Sequence, residues 1–500
     1  MPPGHLTRGA LLLAVLHVAC AEAKPTVRVG SKSFTESYIL GEIVARIVER
    51  EGEARVERRF GLGGTGITHR AVAHGDVDLY PEYTGTLSQA ILKQPSLRTV
   101  EEIRAALRGS GLTIGSPLGF ENTYAFAVLR QTAERLGLAT ISDLTGRDGL
   151  RAAFSSGFTD REDGWPGLRR HYGLAFAEVR TMEHALTYEA LAAGKVDVID
   201  VFSTDGKLEK LDLVILEDDR RFFPAYEAVL LVREDFIQRL PRTWKALEDA
   251  LGGRVDDRRM THLNALVDLG GQSLSRAAAE FLGQDGGPEE GHRLAEIADL
   301  TLDHLFLVLV SLAAACLLGV PLGILAARRR TLGQVELMAV GVLQTIPSLA
   351  FLCFMIPVFG IGKGPALVAL SLYGLLPIVR NTYTGLVGID RQLLEIAGVL
   401  GLDRWQRLRR IELPLASLSI MAGIKTSAVW TVGTATLAAF IGGGGYGELI
   451  VRGLALDDVS LILSGAVPAA LMSLVIHGAF ELLDAVVIPR GLRRSLARGA

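Results

Sequence analysis

Aromatic residues make up only 6% of this 500-residue chain, yet they gather in four short strings: YPEYTGT at 80–86, GFENTYAF at 119–126, FSTDGKL at 202–208 and RRFFPAYEA at 220–228. Ring faces are electron-rich. Several of them around one point attract a cation that cannot donate hydrogen bonds, such as a trimethylammonium group, at about 0.5 to 2 kcal/mol per ring. Little competing chemistry is present. No metal-ligand spacing, nucleophile elbow or paired acid and base emerges before the apolar part of the chain, so an enzyme is not expected. No G-x-x-x-x-G-K-[ST] phosphate loop occurs either: FGLGGTG at 60–66 lacks the lysine, and IGGGGYG at 441–447 sits at the end of an apolar run.

The elements that must position those rings belong to a chain built for two solvents. Five hundred residues exceed what one hydrophobic core usually serves, so at least two domains are expected. Residues 24–298 are charged and mixed, and the remainder of the chain is a series of long apolar runs. The net charge of −3 says nothing about partners, and no basic face or finger spacing suggests nucleic acid. Residues 1–23 read as a secretory signal, with Arg8 before an apolar core and A-x-A at Ala21 to Ala23; lipidation at Cys20 is the alternative. Cys316 and Cys353 both fall in apolar runs, so the exported part holds no thiol for a disulfide.

Runs 305–327, 337–362 and 461–480 contain no charged residue, and each is long enough to cross about 30 Å of hydrocarbon. Two further runs carry one charge each, 366–386 with Arg380 and 415–441 with Lys425. Five spans are expected, with a sixth if Pro347 or Pro357 breaks the second run. With the first domain outside, Arg328 to Arg330, the arginines of 391–410 and those of 490–498 all fall inside, as cytoplasmic loops require. Lys425 either lines a path through the membrane or snorkels to the cytoplasmic interface.

The exported residues 24–284 alternate short β-rich runs (VRVGSKSF, ARVERRF, VDLY, LRAAF, VDVIDVF, LVILED) with helical stretches such as 36–51, the mark of an α/β sheet domain. An internal echo, AHGDVDLY at 73–80 and AAGKVDVID at 192–200, predicts two similar lobes with a ligand between them, at strand C-terminal ends. Tyr80, Phe222 and Phe223 are assigned to packing, and Asp205 and Glu121 to backbone capping or bridging. Trp165 is either a wall of the second lobe or a surface residue. GQDGGPEEG at 283–291 reads as a flexible linker, placed at 285–300, before a membrane domain over 301–500.

Between the third and fourth apolar runs, within 391–414, Glu395, Ala397, Gly401, Ile411, Leu413 and Pro414 stand at the spacing of the EAA loop, and the chain here resembles the permease subunits of ABC importers. The segment reads as a helix, a turn at Gly401 and a second helix ended before Pro414, a hairpin able to sit in a partner's cleft and transmit rigid-body motion. The resemblance implies an all-α domain of the type I importer permease kind. It also implies a homodimer on a separate ATPase that holds the ATP, with no cofactor on this chain.

The four aromatic strings, in order and nearly in spacing, resemble the binding proteins of glycine betaine, choline and carnitine uptake systems. That resemblance implies a two-lobed type II clamshell. It implies a cage of Tyr83, Tyr124, Phe202 and Tyr226, with Phe202 where relatives often have Tyr, and it sets Lys32, Thr86 and Asn122 near the ligand's carboxylate end. An inward Lys32 would favour a zwitterion over cationic choline. Ergothioneine is the alternative ligand, and a receptor without transport the alternative class.

Overall fold

The computed structural model describes residues 24–209, 211–284, 289–456 and 458–488. The expected signal peptide, Cys20 and the arginines of 490–498 lie outside the described residues.

Among the described residues ten strands form two sheets: β1 (Thr26–Gly30), β2 (Arg55–Arg59), β3 (Leu79–Tyr83), β4 (Leu112–Ile114), β5 (Tyr124–Leu129), β6 (Arg151–Ser155), β7 (Glu178–Met182), β8 (Val198–Phe202), β9 (Leu213–Leu216) and β10 (Ala228–Arg233). The orders are β2-β1-β3-β10-β4 and β7-β6-β8-β5-β9, one pattern used twice. In each sheet one strand comes from the other half of the domain and runs antiparallel to its neighbours: β10 between β3 and β4, β5 between β8 and β9. The chain therefore crosses between lobes twice, and the crossings bridge each other at Glu121 and Glu227. The internal echo marks equivalent places, since Gly75 (φ 81°) leads toward β3 and Gly194 (φ 64°) toward β8. Left-handed backbone there favours glycine.

Helix α1 (Thr35–Glu51) covers the first sheet with Ile39, Ile43 and Ile47 on one row and Leu40, Val44 and Val48 beside it, the i, i+4 spacing that makes a continuous apolar stripe. Helix α2 (His184–Ala192) lies on the second lobe, and α3 (Asp257–Asp268) returns to pack on α1. The expected linker is not a coil throughout. Helix α4 (Glu289–Arg328) begins inside it and runs without a break into the first apolar run; residues 285–288 lie outside the described residues. Once the sequence passes Pro288, EEGHRLAEIADL contains only one glycine, and a helix already anchored in the bundle can propagate through it at one hydrogen bond per residue.

The helices that follow α4 include α5 (Arg330–Thr345), α6 (Ser348–Phe359), α7 (Lys363–Val387), α8 (Arg391–Val399), α9 (Leu413–Ala435), α10 (Gly447–Ala455) and α11 (Val459–Val487). Among the described residues, Glu296–Arg328, Arg404–Ile441 and Val459–Asp484 are each long and apolar enough to cross a membrane. The run 337–362 is bent: Leu337–Thr345 and Ser348–Phe359 meet at 100° beside Pro347, and form a fourth crossing when taken as one broken span. The expected span 366–386 is a single helix, α7, of 25 residues that carries Arg380 and Asn381 and is less apolar than the others. It is the centre of the bundle. Gly323 of α4 approaches it so closely that a Cβ would stand 2.6 Å from Thr382 Cβ, and Gly423 of α9 has the same relation to Asn381 Cβ at 2.7 Å. Small residues let membrane helices close on each other in this way.

The binding domain sits on one end of these helices. Leu62 of the FGLGGTG string shares an apolar cluster with Leu307, Ile361 and Ile441, Arg59 Nη1 donates to the Gly442 carbonyl at 3.0 Å, and the Ile361 N–H donates to Asp76 Oδ2 at 3.3 Å. The two glycine strings that lack a phosphate-loop lysine thus face one another across the domain junction.

Candidate functional site

The four expected cage residues lie at one edge of the paired lobes. Tyr83 ends β3 and Phe202 ends β8, whereas Tyr124 begins β5 and Tyr226 stands two residues before β10. Because β5 and β10 run antiparallel to those neighbours, their starts fall beside the others' ends: Tyr124 pairs with Phe202, and Tyr83 with Ala228. Tyr124 is the hub. Its ring centroid is 5.1 Å from Phe202, 5.7 Å from Tyr226 at 88°, 5.0 Å from Phe158 and 6.1 Å from Phe223. Phe34 completes the ring wall, 5.7 Å from Phe202 and 6.3 Å from Tyr83. Tyr83, Tyr124 and Tyr226 are all buried. The rings rest on one another, so a cation reaches their faces when the lobes part.

Charged groups fill the spaces between rings. Lys32 Nζ binds Glu82 and lies 5.3 Å from the Tyr83 centroid. Burial lowers its pKa, opposed by the charge of Glu82. Lys32 does point inward, as a zwitterion reading requires, but its charge is already matched by Glu82, which also accepts from the Tyr80 hydroxyl at 2.9 Å. Arg161 pairs with Asp163, holds its guanidinium 5.9 Å from the Tyr124 centroid and donates to Thr86 Oγ1 at 3.4 Å. Asp163 also accepts from the Tyr226 hydroxyl at 2.6 Å. The third carboxylate, Glu36, accepts from Tyr83 Oη at 2.6 Å, Asn122 Nδ2 at 2.7 Å, Asn264 Nδ2 at 3.0 Å and the Thr204 hydroxyl. Burial raises its pKa and these four donors pull it back.

Behind Phe202, the His184 ring lies 4.5 Å away, centroid to centroid, with Nε2 2.8 Å from Asp205 Oδ2. Burial opposes a charge on this imidazole, but Asp205 and Asp200 outweigh it and lift its pKa to about 9. Asp205 also accepts from the Phe202 N–H at 2.9 Å, which fixes the end of β8 and fits the bridging role expected of it.

All seven expected ligand residues therefore meet in one place, and Phe34, Glu36, Glu82, Phe158, Arg161, Asp163, Phe223 and His184 join them. Phe223, expected only to pack, lies against Tyr124. Glu82 stands inside YPEYTGT itself, and alternation along β3 could have flagged it. Glu36 carried no such signal, being one acid on an amphipathic helix. Trp165 is neither a cleft wall nor a surface residue: it is buried in the second lobe, 5.0 Å from Phe154 and 5.2 Å from Phe176, because Gly164 and Pro166 start its helix facing inward.

At the other end of the bundle, Asp390 caps α8, and the helix stops at Gly401 (φ 74°), whose left-handed backbone turns the chain into a second helix capped by Asp403. Ala397 is buried and Glu395 is exposed, 3.4 Å from Arg391. Leu393, Ile396, Val399, Leu400 and Trp405 point outward, an unpartnered apolar face at a helical turn. Pro414 does not end the second helix. A π-helical turn, Leu408–Glu412, which contains Ile411, widens the backbone ahead of it, and the helix continues through Leu413 and Pro414 into α9. The proline's missing N–H is thereby tolerated. Glu412, buried, accepts from Arg328 at 3.0 Å and Arg407 at 2.7 Å, clasping α4 to the loop. Lys425 pairs with Glu481 of α11.

Residues 25–284 match the substrate binding domain of the ABC-type glycine betaine transport system. The chain belongs to this family. Residues 319–491 match the binding-protein-dependent transport system inner membrane component, so this ABC transport chain joins a binding domain to its permease, as both resemblances implied. The glycine betaine/carnitine/choline transport system permease protein OpuCB of Bacillus subtilis is 41% identical over 213 residues, 43% of this chain and 94% of that one. The ergothioneine transport permease/ergothioneine binding protein EgtU of Helicobacter pylori is 36% identical over 269 residues, 52% of this chain and 48% of that one. Among solved structures, a glycine betaine/carnitine/choline ABC transporter is 30% identical with a TM-score of 0.45, covering 51% of this chain and 97% of that chain. Membership of an ABC permease family carries with it an ATPase partner and a small-molecule substrate.

Proposed function

We propose that this chain captures a quaternary-ammonium solute of the glycine betaine, choline or carnitine type in the periplasm and passes it across the inner membrane. A separate ATPase supplies the energy. The observation that carries the reading is the convergence of Tyr83, Tyr124, Phe202 and Tyr226, with Phe34, on one edge of two lobes. Ring faces turned to a common point hold an alkylated ammonium that hydrogen-bonding sites cannot.

Opening separates β5 and β8 of the second lobe from β3 of the first, and a bound cation draws the rings back together. In this reading the loops at Ile361 and Gly442, on which the binding domain rests, face the periplasm and the arginine-rich loops the cytoplasm. The outward apolar face of α8 and Trp405 enters a cleft of the ATPase, with Glu395, Ala397 and Gly401 shaping the hairpin and Ile411, Leu413 and Pro414 joining it to α9. Two copies side by side would meet an ATPase dimer.

The reading is tested by titrating the full chain, in detergent, with glycine betaine, choline, carnitine, proline betaine and ergothioneine. Binding of at least one of the first four, lost in Tyr124→Ala, is expected; binding of none would refute it. Ergothioneine is the second reading, favoured by the Helicobacter pylori relative, whose name describes the same fusion. Saturable binding of ergothioneine alone would select it.

A further inference from the structure

The two lobes meet the membrane domain in different ways. The first is seated directly: Leu62 joins an apolar cluster with Leu307, Ile361 and Ile441, while Arg59 and Asp76 hydrogen-bond the loops at Gly442 and Ile361. The second lobe approaches the permease through α2, which lies against α10. The C-terminal turn of α10 stands at the seam between the lobes. Ala455 lines a pocket whose other walls include Phe34 and Thr35 of the first lobe and Glu183, His184 and Tyr188 of the second. Leu456, next in the chain, packs against the apolar core of the binding domain. Earlier on the same helix, Arg452 and Glu448 lie within electrostatic reach of Tyr38 on α1, as does Glu183 from across the seam.

Glycines lock α10 to the rest of the permease. A Cβ on Gly447 would strike the Thr436 carbonyl in the turn that follows α9, one on Gly453 would stand 2.7 Å from the Ile462 nitrogen of α11, and one on Gly465 of α11 would stand 2.5 Å from the Tyr446 carbonyl oxygen. Arg452 pairs with Glu296 at 2.7 Å and Tyr446 Oη donates to Thr301 Oγ1 at 2.9 Å, both on α4. Contacts this close leave no slack, so a displacement at the far end of α10 reaches α4, α9 and α11 together.

A surface that touches both lobes when they are together binds the closed domain better than the open one, and that difference in affinity is what a conformational signal consists of. We infer that the end of α10, Ala455 and Leu456, is the part of the permease that reads closure of the lobes, and that by reciprocity it strengthens the cage's hold on the solute. Solute draws α2 against α10, and α10 in turn holds the second lobe against the first. Neither residue is one of the cage rings, so each acts on affinity through the open-to-closed equilibrium. The inference rests on the quaternary-amine reading for its ligand and gives the membrane domain a share in the affinity.

The test is titration of the full-length chain in detergent with glycine betaine, choline and carnitine. For whichever binds most tightly, Ala455→Trp, which sets an indole in the seam, and Leu456→Ala, which withdraws a contact, should each weaken binding by about fivefold or more. Leu454→Trp, one position away on the exposed side of α10, should change it by less than about twofold. The loss should appear as faster release rather than slower capture, because capture takes place in the open domain, where the second lobe has left α10. Unchanged affinity in both seam variants overturns the inference, and so does an equal loss in Leu454→Trp, which marks general damage to the helix. If Ala455→Trp does not fold, Leu456→Ala decides. A wild-type chain that binds none of the three refutes the quaternary-amine reading and this inference with it, an outcome distinct from a wild-type chain that binds and seam variants that bind equally well.

Discussion

Tyr124 and Phe202 face each other as direct cross-strand partners on β5 and β8, with ring centroids 5.1 Å apart at 42°. Two rings set by one pair of strands move as a unit, so the second lobe brings both to the cation together. Each ring is worth about 0.5 to 2 kcal/mol. Phe202→Ala and Tyr124→Ala should each weaken quaternary-amine binding by about 2- to 30-fold, while Phe202→Tyr should change it by less than about twofold. Titration of the three variants checks this.

His184 makes stability depend on pH. Its pKa in the folded chain is about 9, against about 6.5 in an unfolded chain. A cation favoured by folding stabilises fully below the unfolded value and loses that contribution as pH rises through the folded one. The melting temperature of the binding domain in the intact chain should therefore fall between pH 7 and 9.5, with a limiting cost of about 3 kcal/mol. His184→Gln should flatten that slope while lowering the pH 7 value.

Glu412 holds Arg328 at the end of α4 and Arg407 of the hairpin that follows α8 at once. Glu412→Gln leaves two guanidinium groups sharing one neutral amide. Because both arginines are about a third exposed, the cost is about 1–3 kcal/mol rather than that of a fully buried pair. Solute binding should be unchanged, and stimulation of the ATPase by loaded chain should fall several-fold.

Gly401 isolates backbone from packing. It holds φ 74°, yet a Cβ there would meet nothing within 4 Å. Gly401→Ala should then cost about 1 kcal/mol of hairpin stability by conformation alone, and Gly401→Asn less, since asparagine tolerates the left-handed region. Thermal stability of the two variants, compared in one detergent, separates the cases.

The aromatic strings and the Glu395–Gly401 spacing were legible because each is local: chemistry and position lie within a few residues. The two-lobe plan was legible too, through the Gly75 and Gly194 echo. Four strands, β4, β5, β7 and β10, escaped notice; β5 was hidden because Tyr124 opens it from within a string read as a ligand loop. Glu36 and Asp163 escaped for a different reason. Their partners lie 47 to 228 residues away in the chain for Glu36 and 63 for Asp163 with Tyr226, so only the folded lobes bring them together. Pro414 misled as a helix end because the compensating π-helical turn has no sequence mark of its own.

Coupling of binding to import is tested most directly in proteoliposomes that contain this chain and its ATPase, by measuring uptake of radiolabelled choline and glycine betaine. Uptake should require ATP, and should vanish in Tyr124→Ala with loss of binding. In Glu412→Gln it should fall several-fold while binding persists. Saturable binding by the intact chain with no ATP-driven uptake would contradict the account and leave a receptor in its place.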